Sequence, residues 1–140
     1  MKRIQGLAVI VACGVLAGCA SSPPRVASQD GLACTAQPQD ASAVYIDIAY
    51  AADGMPAVAS ERCAVWPGTT LTWRNGEGDE RAFEVVFKGE APGRPLYERQ
   101  PGVRYVATLT APEVEVETEY TYGIRSAGHV LDPVIIIRPR

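Results

Sequence analysis

Beyond residue 42, apolar and polar positions alternate with a period of two, the pattern of strands that bury one face. In the first run Val44, Ile46, Ile48 and Tyr50 share a face against Tyr45, Asp47 and Ala49, and Asp53-Gly54-Met55-Pro56 ends it as a turn. Cys63 and Val65 face inward on a short second strand. Trp66-Pro67-Gly68 turns the chain before Thr69 to Arg74, where Leu71 and Trp73 project to one side, and Asn75-Gly76-Glu77-Gly78 reads as a loop. Phe83, Val85 and Phe87 then alternate with Glu84, Val86 and Lys88, and the Gly/Pro-rich stretch Gly89 to Pro95 turns again, with Arg94 to Arg99 read as loop. Val103, Tyr105, Ala107 and Leu109 alternate with Arg104, Val106 and Thr108. A last hairpin sets Val114, Val116, Thr118, Tyr120, Tyr122 and Ile124 on one face, and the chain closes with Val134, Ile135, Ile136 and Ile137.

No run has helical spacing of any length. About seven short strands separated by turns every 8 to 12 residues predict an all-β fold, an antiparallel Greek-key β-sandwich, over residues 32–140.

The N-terminal pattern is of another kind. Met1, Lys2 and Arg3 precede an uninterrupted small and apolar run from Gly6 through Ala17. About a dozen residues fall short of the roughly 20 that span a bilayer as a helix, so residues 1–18 read as a secretory signal rather than a transmembrane anchor. The run closes with Leu16-Ala17-Gly18-Cys19, which resembles the lipobox of bacterial lipoproteins. The resemblance implies cleavage before Cys19 and acylation of that cysteine, with an ordinary signal peptide as the alternative. The partner it implies is a membrane, held through an N-terminal lipid anchor. Ala20 follows the cysteine where an Asp would be expected to retain such proteins at the inner membrane, which implies the periplasmic face of the outer membrane. Residues 19–31, rich in Ser, Pro and Ala with only Val26 as a sizeable apolar side chain, read as a flexible tether.

Composition narrows the chemistry. The chain of 140 residues carries 13 basic and 16 acidic side chains, a net charge of −3. Without Lys2 and Arg3 the remainder holds eleven basic against sixteen acidic residues, or −5, which disfavours nucleic acid as a partner. A single histidine, His129, excludes any metal site or catalytic relay that needs two imidazoles. Of four cysteines, Cys13 lies inside the signal and Cys19 is taken by the lipid, leaving Cys34 and Cys63. In an oxidising envelope this pair predicts a disulfide closing a loop of about 30 residues, on the order of 3.5 kcal/mol by chain entropy. The other readings, a redox pair or a metal dithiolate, ordinarily use close spacing such as Cys-x-x-Cys.

Several segments resemble the cupredoxins. Trp66-Pro67-Gly68-Thr69-Thr70-Leu71-Thr72-Trp73-Arg74-Asn75 is similar to that family's Gly-containing turn and hydrophobic strand ending in Asn. Phe83-Glu84-Val85-Val86-Phe87 resembles the next strand, which in the family opens with a copper-binding His, and here Phe83 stands in its place. Tyr120-Thr121-Tyr122-Gly123-Ile124 is similar to the strand that ends in the ligand Cys, so Ile124 occupies the thiolate position. Gly128-His129 falls where the family places its Gly-His, five residues past the ligand cysteine, and His129 alone of the ligands is kept, with no methionine after it. The resemblance covers residues 66–137 and implies a cupredoxin-like sandwich without type 1 copper and without any cofactor, since that centre requires two imidazoles and a thiolate. It implies a non-enzymatic binding or scaffolding module with a partner in the envelope. The alternative is an envelope metal-handling protein using His129 together with Asp132.

Three further patterns have plain structural readings. Ser126, His129 and Asp132 invite a triad, but no nucleophile elbow or oxyanion hole accompanies them, so they read as a polar hairpin loop with an Asp132-Pro133 turn. Glu113, Glu115, Glu117 and Glu119 read as a solvated strand face, with Arg104 and Lys88 as cross-sheet partners. Trp66 and Tyr97 are the aromatic side chains placed to anchor a partner at the surface.

Overall fold

Val, Ile, Thr and aromatic residues dominate the alternating runs, and such side chains pack best on a pleated surface. A computed structural model describes residues 32–100 and 104–140. The signal segment, Cys13, Cys19, the tether through residue 31 and Val103 lie outside the described residues. Among those described there is no helix, and the strands are β1 (Leu32–Ala33), β2 (Ala43–Tyr50), β3 (Pro56–Val58), β4 (Arg62–Val65), β5 (Thr70–Asn75), β6 (Glu84–Phe87), β7 (Leu96–Gln100), β8 (Arg104–Thr110), β9 (Thr118–Ser126), β10 (His129–Leu131) and β11 (Val134–Ile137).

They form two sheets. One runs in the order β1-β2-β5-β8-β7, with β3 also on β2, and the other in the order β10-β9-β11-β4, with β6 also on β9. Val44, Ile46, Ile48, Leu71, Trp73, Ala107 and Leu109 of the first face Val85, Tyr120, Tyr122, Ile124, Ile135 and Ile137 of the second in one core. The predicted all-β sandwich is therefore the architecture. Its pairing is mixed where the short strands and frequent turns predict antiparallel neighbours throughout, because β1–β2, β2–β5 and β4–β11 are parallel. The cause lies in the chain's path: between β2 and β5 it crosses to the second sheet to lay down β4, and it returns running in its original direction.

The same crossing happens at the start of the domain. The Cys34 N–H donates to the Tyr45 carbonyl in the first sheet at 2.8 Å, and the Ala64 N–H of the second donates to the Thr35 carbonyl at 2.8 Å. Cys34 is bonded to Cys63 at this point, with the two Cα atoms 5.4 Å apart and both residues buried. The disulfide thus closes the corner where one short segment serves both sheets.

Three local readings need correction. Residues 111–117 are irregular, so Glu113, Glu115 and Glu117 do not share a strand face with Glu119. Pro112 cannot donate to a ladder, and the partner strand ends where Ile137 meets Thr118, so the ladder to β11 does not reach the earlier residues. Val116, read as inward-facing, is 69% exposed. The partners of Glu117 and Glu119 are Arg138 at 2.7 Å and Arg62 at 2.6 Å, while Lys88 pairs with Asp132 at 2.8 Å. The Arg94 to Arg99 stretch is not loop but mostly β7, an edge strand whose apolar Leu96 is exposed and so leaves no buried alternation to read. Finally, Asp132-Pro133 is not a turn. His129 pairs with Ser126, Leu131 with Ile124 and Val134 with Thr121, so β10 and β11 keep one register and are two halves of a single strand. The Pro133 carbonyl still accepts from the Tyr122 N–H at 3.1 Å, and the proline's missing N–H interrupts the ladder from the other side.

Candidate functional site

β2, β5 and β9 finish at one end of the sandwich, where β6 and β10 begin, while the chain enters the described domain near the other end, with Leu32 beside Val44. The inward face of β9 continues through Tyr120, Tyr122 and Ile124 to Ser126, which is 4% exposed. Across the hairpin, Ser126 pairs with His129. Ala127 and Gly128 make the two-residue turn with φ of 47° and 84°, the left-handed pair that a tight hairpin demands.

The three positions matched to metal ligands are brought to this end. Phe83 is 3% exposed, packed edge-on to Tyr105 with ring centroids 5.1 Å apart. Ile124 is wholly buried, between Val85 of β6 and Leu131 of β10. His129 is half-buried, and its ring packs beside Gly54 in the turn between β2 and β3. Phe83 and His129 line one shallow recess of about 410 Å³, together with Glu84, Arg125 and Val130. One imidazole and two hydrocarbon side chains do not fit a copper ion.

Ser126, His129 and Asp132 are not assembled as a triad. Residues 129 and 132 lie on opposite faces of their strand, since they are an odd number of positions apart in one continuous register. His129 faces the neighbouring sheet, whereas the Asp132 carboxylate is held by Lys88. The Ser126 hydroxyl is already committed, donating to the Ala82 carbonyl at 2.9 Å. The same opposition separates His129 from Asp132 as a pair of metal ligands. Among the described residues no three His, Cys, Asp or Glu side chains converge on a point that would hold an ion.

What the structure adds at this end is a polar network around Asn75. The residue sits in β5 at the inward parity of Leu71 and Trp73, fully buried, not in the loop that its Asn-Gly sequence suggests. Its Oδ1 accepts from the Tyr50 hydroxyl at 2.8 Å, and its Nδ2 donates to the carbonyls of Asp79 and Arg81, tying down the 76–82 loop. The Arg81 guanidinium stacks on the Tyr50 ring, 4.1 Å from its centroid. Burial raises the Tyr50 phenol above its ordinary titration range, and a hydrogen bond with the Ser126 side chain pulls the other way. The signal available in sequence was parity: 71, 73 and 75 share a face.

Of the two aromatic anchors, Trp66 is half-buried at its turn and Tyr97 is 39% exposed. The hydroxyl of Tyr97 is engaged with the main chain of Val85, and burial raises its titration range as well. No protein-family model and no curated protein matches this chain.

Proposed function

We propose that this protein is a non-enzymatic lipoprotein, held through acylated Cys19 at the periplasmic face of the bacterial outer membrane, whose sandwich is a copper-free, cupredoxin-like binding module for another envelope component. The observation that carries the reading is the packing of Phe83 and Ile124. Both are buried hydrocarbon built into the core, and Phe83 lines the recess that His129 also lines. The Leu16-Ala17-Gly18-Cys19 motif behind a basic and apolar leader supports the anchor. The entry of the chain beside Val44, at the end away from His129, suits a domain presented outward from such an anchor. A buried disulfide between Cys34 and Cys63 suits an oxidising compartment.

The test is a native mass of the protein purified from its own membranes in mild detergent. The expected species is residues 19–140 plus acyl groups, less two hydrogens, and Cys19→Ser should abolish the lipid. A stoichiometric protein partner should be recovered when the tagged chain is crosslinked in intact envelopes. Recovery of the chain alone would overturn the binding role, and copper or zinc in the native peak that disappears in His129→Ala would replace it with metal handling.

A further inference from the structure

Each sheet has an open edge on the same side of the molecule. Among the described residues β7 is the last strand of the first sheet, and β6 is paired only with β9. The pairing of Val86 with Gly123 and the bond from the Lys88 N–H to the Thr121 carbonyl, 2.9 Å, direct alternate main-chain groups of β6 toward β9. Those of Val85 and Phe87 therefore lie on the open side. Between the two edges runs a groove of about 860 Å³, floored by Val85, Phe87, Leu96 and Tyr97, with Glu84 at the start of β6 and Arg94 where the chain turns back into β7. Leu96 is 68% exposed in this groove.

Tyr97 shows what the edge accepts. Its hydroxyl takes the Val85 N–H at 2.8 Å and donates to the Val85 carbonyl at 3.2 Å. One phenol thus makes both bonds that the backbone of a neighbouring strand would make, and it stands in for a strand that the described residues do not supply.

We propose that the groove between β6 and β7 receives an extended segment of another polypeptide, added antiparallel to β6. Main-chain bonds to Phe87 and, on displacement of the Tyr97 hydroxyl, to Val85 would hold it. The charges at the two ends specify its chemistry. An antiparallel segment begins at Arg94 and finishes at Glu84, so it carries a carboxylate first, alternating apolar side chains in the middle and a basic residue last. A second copy of β7 does not meet this requirement, since Arg94 rather than a carboxylate precedes its apolar Leu96 and Tyr97. The inference rests on the reading of the chain as a binding module and locates the surface that binds.

The full-length protein in mild detergent is titrated with two capped hexapeptides, DVTVTK and its charge-reversed form KVTVTD, following the backbone amide resonances of Val85 and Phe87. DVTVTK is expected to shift both amides and to bind about tenfold more tightly than KVTVTD, because two exposed ion pairs become two repulsions. Leu96→Arg, at an exposed position, should weaken DVTVTK several-fold, and Tyr97→Phe, which frees the Val85 pair, should strengthen it. Equal affinities, shifts confined to other residues, no shift at all, or a dimer in sedimentation that Leu96→Arg dissolves would overturn the site. If the peptides fail while envelope crosslinking still captures a stoichiometric partner, the module stands and only the groove is wrong.

Discussion

Trp73 on β5 and Tyr122 on β9 are joined across the core by the indole N–H, which donates to the phenol oxygen at 3.0 Å. Their rings meet edge to face with centroids 5.5 Å apart, and neither residue is more than 1% exposed. Two large aromatic side chains can be buried together from opposite sheets only because the polar tip of each finds the other. Tyr122→Phe keeps the ring and leaves the indole N–H without an acceptor, at a cost of about 1–3 kcal/mol. Trp73→Phe adds a cavity to the loss of the donor and should cost more, about 3 kcal/mol or above. In urea titrations the double variant is expected to lose less than the sum of the two.

The same pair predicts an alkaline limit to stability. Burial lifts the Tyr122 phenol far above its usual range, only partly opposed by the Trp73 donor. The folded protein keeps this proton where the unfolded chain has lost it, so the stabilisation is complete below about pH 10 and declines above it. The slope attributable to Tyr122 is about 1.4 kcal/mol per pH unit until the folded phenol itself titrates. Denaturation midpoints measured from pH 8 to 11.5 should fall beyond pH 10, and in Tyr122→Phe this part of the fall should vanish.

The Cys34–Cys63 disulfide spans 29 residues of sequence and closes the corner between the sheets. Replacing both cysteines by Ser should reduce stability by about 3.5 kcal/mol, because the unfolded chain regains the entropy of an open loop. Equilibrium unfolding with and without reductant measures it. The amide of Ala64, whose bond to Thr35 depends on that corner, should also exchange faster.

Asn75→Ala should cost about 2–3 kcal/mol, since the substitution strands the Tyr50 hydroxyl and two loop carbonyls that the amide now satisfies. Asn75→Asp keeps the acceptor but sets a buried carboxylate oxygen against the Asp79 and Arg81 carbonyls, and should cost more than Asn75→Ala. Thermal unfolding ranks them, and a local fluorescence or exchange probe in residues 76–82 should report a loosened loop.

Ala127 is the one residue other than glycine with positive φ among the described residues. An L side chain with a Cβ is strained in that region, so Ala127→Gly is expected to raise stability by about 0.5–1 kcal/mol despite glycine's greater freedom when unfolded. A higher melting temperature with an unchanged spectrum would bear this out, and an unchanged or lower one would show that the turn tolerates alanine.

The amino-acid sequence by itself determined which side of β2, β5 and β9 is buried. Val44, Ile46 and Ile48, Leu71 and Trp73, and Tyr120, Tyr122 and Ile124 all lie in the core at the parity that their alternation marks. It also singled out Cys34 and Cys63 as partners, by elimination of the other two cysteines. Alternation is a local consequence of one wet and one dry face, and it is silent about which strand lies alongside or in which direction. Only the tertiary structure decided that β2 and β5 run parallel, that β10 and β11 continue one strand across Asp132 and Pro133, and that the alternating glutamates before Glu119 are not in a strand. The candidate site follows the same division. Phe83, Ile124 and His129 were legible one by one, but that His129 turns away from Asp132, that Asn75 is buried and that Tyr97 occupies the edge of β6 depend on contacts between residues far apart in the chain. Such contacts are set by how the two sheets close on each other, which no local pattern encodes.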